Sequence, residues 1–472
     1  MIKNICCIGA GYVGGPTMAV IALKCPEIKV SIVDSNQVRI DAWNERDLNN
    51  LPVKEPGLSN IIKKVRNKNL FFSTNIDNAI MESEMIFIAV NTPTKTKGKG
   101  KGMAADLSNI IKCAKRISKV ATNNKIVVEK STLPVRTAEK LKEILNTNDS
   151  KIHFDILSNP EFLAEGTAIN DLFKSDRVLI GADNDKSGQI ALKKLINIYN
   201  KWIPEEKIVK TNIWSSELSK LVSNAMLAQR ISSINSISAL SEHSGAKITE
   251  IAEAVGRDHR IGDKFLNASV GFGGSCFQKD ILNLVYICQQ YGLQEVAEYW
   301  HQVLKINDYQ RDRFFKIIKE KFKSIKRKKV SILGWSFKKD TNDSRESSAI
   351  FVSARLINAG AYISVYDPLV SEKQIIQDLK LLFESKNYTN PKISKFMTRV
   401  SVENTHLDCL KKSDAIAIMT EWDEFQEINW KKVKKNIKGK PKIFDGRNII
   451  NPKLLNNLGY LVYQVGNGDN TY

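Results

Sequence analysis

Gly271-Phe272-Gly273-Gly274-Ser275-Cys276-Phe277-Gln278-Lys279-Asp280 sets one cysteine at the mouth of a glycine-rich turn, with a carboxylate four residues further on. A cysteine at a helix N-terminus feels the positive end of the helix dipole, which favours the thiolate, and the thiolate is the useful nucleophile. Asp280 lies one helical turn on and shares its face. Glycines at 271, 273 and 274 cost conformational entropy on folding, so they indicate backbone that approaches a ligand or takes a positive φ. The alternative is a buried structural cysteine beside an ordinary turn. Upstream, residues 216–239 read as one long helix, on which Lys220 and Asn224 are four apart and project from the same side.

Those groups suit an oxidation with a covalent step. An aldehyde held by a cysteine becomes a thiohemiacetal, whose oxidation gives a thioester that water hydrolyses to an acid. Single-step alcohol oxidation more often uses a histidine base, and none of the five histidines (His153, His243, His259, His301, His406) sits in a recognisable motif. That favours a lysine, aspartate and water system, with Lys220 also able to stabilise a developing oxyanion. Seen alone, Lys220 is equally an ordinary surface lysine of a helix.

Such chemistry needs a hydride acceptor, and the first residues supply its holder. Asn4 to Ile8 form a short apolar strand of the buried parallel kind, and Gly9-Ala10-Gly11-Tyr12-Val13-Gly14 leads from it into an amphipathic stretch. The next strand, 29–33, ends at Asp34, 20 residues after Gly14, where a ribose diol needs an acceptor while the helix N-terminus offers its amides to a pyrophosphate. Asp34 also favours NAD over NADP, since it repels a 2′-phosphate, although Arg39 stands nearby. Further strands near 70–72, 85–90, 125–129, 154–157 and 178–181 continue the alternation and predict a doubly wound parallel sheet. Ligands bind beyond the carboxyl ends of such strands, which carry Asn91-Thr92-Pro93, Ser131-Thr132 and Asn159-Pro160-Glu161. Each of these also reads as a simple turn or helix cap.

From 214 to about 326 the strand signal gives way to helical periodicity, with a second long helix over 296–321. A strand and turn at 329–334 and a strand at 362–368 then repeat the opening unit in degenerate form, with Gly334 alone surviving from the fingerprint and Lys338, Lys339 and Arg345 as cations beside it. Strands at 415–419 and 442–444 complete a smaller sheet that leads to Arg447. The reading is α/β: two Rossmann-like doubly wound parallel-sheet domains, 1–213 for NAD and 327–466 for a nucleotide sugar, joined by a long central helical region, 214–326, that offers an oligomer surface. Residues 467–472 are a polar tail expected to fray.

A chain of 472 residues exceeds one ordinary core and fits two or three domains. Its formal charge of +20 allows nucleic acid, an anionic membrane or small polyanions as partners. The densest lysine groups, at 95–101, 321–329 and 431–440, lack the interleaved aromatics of a base-stacking platform, and they read as solvated faces rather than a nucleic-acid site. Seven cysteines without a regular framework fit a reducing compartment. No apolar run approaches the roughly 18 to 20 residues of a membrane span, so a soluble, cytoplasmic protein with no membrane partner is expected. No metal site is expected.

The segments Gly9 to Thr17, Asn159-Pro160-Glu161-Phe162-Leu163-Ala164-Glu165-Gly166, Ser215-Ser216-Glu217-Leu218-Ser219-Lys220 and the cysteine loop closely resemble those of the UDP-glucose/GDP-mannose dehydrogenase family. The match runs from residue 5 to about 465 and is most like the animal-type UDP-glucose 6-dehydrogenases without their long C-terminal tail. The resemblance implies two successive NAD-dependent oxidations at C6, taking UDP-glucose to UDP-glucuronate through a thioester on Cys276. By it, Lys220 and Asp280 handle protons and the oxyanion, while Thr132, Glu161 and Asn224 position water and substrate. It also assigns NAD to Gly9, Ala10, Gly11, Tyr12, Val13, Gly14, Asp34, Arg39, Val90, Asn91, Thr92, Pro93, Thr94, Ser131, Thr132, Leu133, Glu165, Lys279 and Arg345. UDP-glucose falls to Glu161, Phe162, Leu163, Ala164, Glu165, Lys220, Asn224, Asn267, Ala268, Ser269, Val270, Gly271, Phe272, Gly273, Phe337, Lys338 and Arg447, with Arg260 reaching a neighbouring subunit of a dimer or hexamer. Residues 45–51 and the basic loop 95–102 depart from the family pattern. The rival substrates are UDP-N-acetylmannosamine and GDP-mannose; the rival classes are a non-catalytic nucleotide scaffold and a nucleic-acid binder.

Overall fold

The computed structural model describes residues 1–147, 152–437 and 439–468. Of the expected tail, 469–472 lie outside the described residues. The chain divides into two compact units: the first comprises 1–223 with 282–291, the second 224–281 with 292 onward.

The first unit is built on an eight-stranded sheet. Its strands are β1 (Asn4–Ile8), β2 (Lys29–Val33), β3 (Leu70–Ser73), β4 (Met85–Ile88), β5 (Lys125–Glu129), β6 (Phe154–Ser158), β7 (Val178–Gly181) and β8 (Ile208–Thr211), in the order β3-β2-β1-β4-β5-β6-β7-β8. Successive side chains of a strand face opposite ways. Accordingly Ile5, Cys7, Met85, Phe87, Ile126 and Val128 pack into one core, and Cys6, Ile8, Ile86, Ile88 and Val127 into the other. Burial on both faces is why these strands read as continuous apolar runs. β1 to β6 pair in parallel, but β6 meets β7 antiparallel at Ser158 and Gly181, so the expected wholly parallel sheet is reversed at one join. Val178-Leu179-Ile180-Gly181 is buried whichever way it runs, and the apolar pattern therefore carries no sign of direction.

The second unit carries a six-stranded parallel sheet. It comprises β9 (Lys329–Leu333), β10 (Tyr362–Tyr366), β11 (Val400–Val402), β12 (Ala415–Ile418), β13 (Lys442–Asp445) and β14 (Leu461–Gln464), ordered β11-β10-β9-β12-β13-β14. Five helices position the candidate residues: α1 (Gly14–Lys24), α2 (Thr137–Leu145), α3 (Ile213–Ser244), α4 (Phe277–Gln290) and α5 (Gln294–Glu320). α3 starts three residues before the sequence expectation because Asn212 caps it, its side-chain oxygen accepting the Ser215 amide at 2.7 Å. Among the described residues no helix is long and apolar enough to cross a membrane.

Candidate active site

In the first unit, Gly9 ends β1 at φ +118°, and a Cβ there would collide with the Ala89 carbonyl; at Gly14 it would collide with the Gly9 carbonyl. Both glycines therefore close the turn tightly onto α1. Gly11 differs, since a Cβ there would meet no atom within 4 Å, which leaves room for a ligand against the turn. Ala10 is fixed from both ends: its amide donates to Asp34 Oδ2 at 3.0 Å and its carbonyl accepts from Trp43 Nε1 at 2.9 Å. Asp34 also accepts from Arg39 at 3.1 Å, which places the expected acid and cation together at the end of β2. Tyr12 packs against the core below, and Val13 is the residue before α1.

The ends of β4 and β5 converge on this turn's side of the sheet. Ser131 Oγ donates to the Val90 carbonyl at 2.5 Å, and Thr92 Oγ1 to the Thr132 carbonyl at 3.0 Å. Asn91 accepts from Asn109, Pro93 accepts the Asp106 amide, Thr94 bridges Ala105, and Leu133 is buried in the core. An open Gly11, two tight glycines, an acid at the end of β2 and these two loops fit an adenine dinucleotide, which gly-rich turns of this kind hold by their amides.

Glu161 follows β6 and belongs to a buried network that the sequence did not disclose. Lys130 Nζ lies 2.8 Å from Glu161 Oε2 and 3.2 Å from Asn159 Oδ1, and the Tyr199 hydroxyl donates to the same Asn159 oxygen at 2.7 Å. Burial acts to lower the Lys130 pKa, but the Glu161 carboxylate and then Tyr199 more than offset it, so the ammonium is held charged. Thr17 Oγ1 and the Phe162 amide complete the environment of Glu161 at 3.4 and 2.8 Å. The Phe162 ring receives the Arg177 guanidinium at 3.9 Å and Lys220 Nζ at 5.1 Å. Lys220 is buried on α3, which removes it from the class of ordinary surface lysines. Leu163 packs on the core, the Ala164 amide donates to Asp171, and Glu165 is half-buried at the start of the next turn.

In the second unit, Cys276 stands immediately before α4, and its carbonyl accepts the Asp280 amide at 2.9 Å. Of the seven cysteines, all free, it alone is exposed. Burial pushes the thiols of Cys7 and Cys409 up to about 12 and those of Cys25 and Cys113 up to about 11, which suits them to packing and not to attack. Asp280 is buried and gripped from two sides, accepting from Asn224 Nδ2 at 2.6 Å and lying 3.3 Å from Lys279 Nζ.

The glycines ahead of Cys276 have structural reasons that can be stated one by one. A Cβ on Gly271 would lie 2.6 Å from Asn307 Oδ1, the atom that accepts the Phe272 amide, and one on Gly273 would lie 2.6 Å from the Glu346 carbonyl. The Phe272 carbonyl accepts from Asn307 Nδ2 and from the buried Arg311, both residues of α5. Ser269 is held by Asn235 and Gln310, Val270 by the Gly446 carbonyl, and Ala268 is buried, while Asn267 is exposed. Arg447 donates to the Phe337 and Met419 carbonyls at 2.8 and 2.7 Å, and Lys338 lies 5.7 Å from the Phe337 ring.

Other expected residues have ion-pair partners of their own. Lys279 and Arg345, assigned to NAD by resemblance, lie in the second unit, where Arg345 pairs with Asp343 at 2.7 Å. Arg260 is exposed and pairs with Asp258 at 2.6 Å. Lys339 pairs with Asp423. At Gly334 the amides of Trp335 and Ser336 both donate to Asp367 Oδ2, at 2.6 and 3.0 Å, which repeats the Ala10 to Asp34 contact of the first turn.

Three family models cover most of the chain. The NAD-binding domain of the UDP-glucose/GDP-mannose dehydrogenase family matches residues 3–203, its central domain 214–309 and its UDP-binding domain 331–452. The chain is 53% identical to UDP-glucose 6-dehydrogenase 3 of Oryza sativa subsp. japonica and 54% identical to UDP-glucose 6-dehydrogenase 4 of Arabidopsis thaliana, each over 99% of this chain and 97% of the relative. A solved UDP-glucose dehydrogenase from the archaeon Pyrobaculum islandicum superposes with a TM-score of 0.80 at 26% identity, covering 95% of both chains.

Proposed function

Because the chain belongs to the UDP-glucose/GDP-mannose dehydrogenase family, we propose that it oxidises UDP-glucose at C6 to UDP-glucuronate in two NAD-dependent steps. The observation that carries the chemistry is the single exposed cysteine at the start of α4, backed one turn later by a buried aspartate that two side chains hold in place.

NAD, when bound, supplies the hydride acceptor for both oxidations. Gly9 to Gly14, Asp34, Val90 to Thr94 and Ser131 to Leu133 hold it in this reading. Lys220 and Asp280 take the proton from the C6 hydroxyl and steady the oxyanion that develops. Cys276 Sγ adds to the C6 aldehyde, forming a carbon–sulfur bond that keeps the aldehyde on the protein. After the second oxidation a water attacks the thioester carbon, the carbon–sulfur bond breaks, and the thiolate leaves. Thr132 and Glu161, the latter paired with Lys130, position that water and the sugar hydroxyls. The segment 267–273, Phe337, Lys338 and Arg447 hold the UDP-sugar. Exposed Met226, Ile237 and Leu240 of α3 and the nearby Ile261 and Phe265 give an apolar surface for a second copy, to whose substrate Arg260 extends. The protein works in the cytoplasm.

Purified protein offered UDP-glucose, UDP-N-acetylmannosamine and GDP-mannose in turn is expected to form NADH with the first. NADH formation only with one of the others would move the same chemistry to that substrate.

A further inference from the structure

Glu129 ends β5 and is 1% exposed, yet neither of its carboxyl oxygens has a partner able to donate to it. Beside it lies Glu217 of α3, 2% exposed, whose Oε2 accepts the Arg136 amide at 2.7 Å and whose Oε1 accepts the Ala138 amide at 2.8 Å. Two buried carboxylates cannot face each other without a cation, because like charges in a dry site force one to take up a proton. A carboxylic acid on Glu129 donating to the Glu217 carboxylate satisfies both side chains, and the two are within hydrogen-bonding reach. Burial pushes the Glu129 carboxyl well up, with the Glu217 charge adding to it. Burial likewise pushes Glu217 up to about 7, opposed by the amides it accepts.

Among the described residues, the cations of the surrounding elements are committed to other partners. Lys130, next on the chain, is committed to Glu161; Arg136 lies over the Trp214 ring at 5.0 Å and reaches Glu139 at 3.6 Å; Lys142 of α2 pairs with Asp183. Of the flanking strands, β4 has no charged residue and β6 has Asp155, which faces His153. The helix Ser108–Val120 turns Ile110, Ala114 and Ile117 toward this core. Lys220 follows Glu217 by three residues and lies over Phe162.

We propose that Glu129 and Glu217 share one buried proton, and that this acid pair is a positioning device tying the loop of Ser131 and Thr132 to the first turns of α3 that carry Lys220. Ser131 and Thr132 follow Glu129 directly after Lys130, and the amides of Arg136 and Ala138 that Glu217 holds are at the far end of the same loop, where Arg136 takes a left-handed φ of 73° before α2. Losing the shared proton sets two like charges against each other beneath that loop. The inference rests on the reading of Thr132 and Lys220 as working residues, but its direct readout does not.

The folded pair holds its proton more tightly than an unfolded glutamate near about 4.3, so stability is fullest below that pH and falls as pH rises through the pair's own titration. Glu129→Gln replaces the acid with an amide that donates to Glu217 and has no proton to lose. The difference in thermal midpoint between this variant and the wild type is expected to move in the variant's favour from pH 6 to pH 9. The ratio of their kcat/KM values for NAD should move the same way, by about tenfold for each pH unit above the pair's titration, since the wild type alone loses a proton there. Glu217→Gln removes the like charge instead and should flatten the same thermal slope while raising the KM for NAD, so the test survives if one variant fails to fold. Parallel midpoint curves for wild type and variants across this range would overturn the shared proton. A wild-type protein that forms no NADH from UDP-glucose would strike at the functional reading and leave the midpoint test standing.

Discussion

Lys130→Met isolates the buried ion pair that holds Glu161. The side chains of Lys130 and Glu161 are 4% and 13% exposed, so the pair lies close to the buried limit. Methionine keeps the length and most of the volume, which leaves loss of charge as the main change. Asn159 keeps the Tyr199 hydroxyl and is not orphaned. Glu161 retains only Thr17 Oγ1 and the Phe162 amide. Removing one partner of a buried pair costs about 3 to 5 kcal/mol, and the partial exposure of Glu161 places this case near about 3 kcal/mol. For a unit of this size that lowers the thermal midpoint by about 6 to 12 °C. A displaced Glu161 should also cost about 10²-fold in kcat if it positions water and substrate, the usual penalty for misplacement by about 1 Å. The folded Lys130 pKa is raised, so its contribution is complete below the ordinary lysine value and is lost only as pH climbs through the raised one. The stability gap should therefore be flat from pH 6 to 9 as far as Lys130 is concerned, in contrast to the sloping gap for Glu129→Gln. Scanning calorimetry and initial NADH rates on the two proteins provide the test. A methionine variant melting within about 2 °C of wild type, with turnover within about twofold, would show that the pair does not hold Glu161 in place.

Gly11→Val adds atoms where the protein has none, so it should leave the thermal midpoint within about 2 °C of wild type while raising the KM for NAD by at least about tenfold. Gly14→Ala drives a methyl into the Gly9 carbonyl and should lower the soluble yield and the midpoint themselves, and equal behaviour of the two variants would contradict the division of roles between them. Cys276→Ser should stall after the first oxidation or hold a slowly hydrolysed ester, visible as a mass increase on the intact chain. Wild-type turnover in that variant would return Cys276 to a packing role.

What the sequence disclosed was whatever leaves a local trace. The fully apolar runs of β1, β4 and β5 and the glycine turn with Asp34 at the end of β2 follow from spacing, because burial on two faces and a tight turn both restrict residue type locally. β8, β11 and β14 went unread: Ile208-Val209-Lys210-Thr211 is half exposed, Val400-Ser401-Val402 is a three-residue edge, and Leu461 to Gln464 ends in a polar residue. The reversal at β7 left no trace in composition. Lys130, Glu129 and Glu217 were missed for a different reason. Charged residues at the end of a strand or in the first turn of a helix read as solvent-facing, and only tertiary packing removes them from water. Asn307 and Arg311, which shape the Phe272 backbone from α5, lie some 35 to 39 residues from it and were equally beyond local reading.

The central claim is that C6 is oxidised twice before product leaves, with the aldehyde retained on Cys276. Limiting UDP-glucose incubated to completion with excess NAD, with NADH read by absorbance and sugar nucleotides by chromatography, tests it most directly. The account predicts two NADH for each UDP-glucose consumed, UDP-glucuronate as the product and no free aldehyde. One NADH per UDP-glucose, with a UDP-hexodialdose in solution, would contradict it.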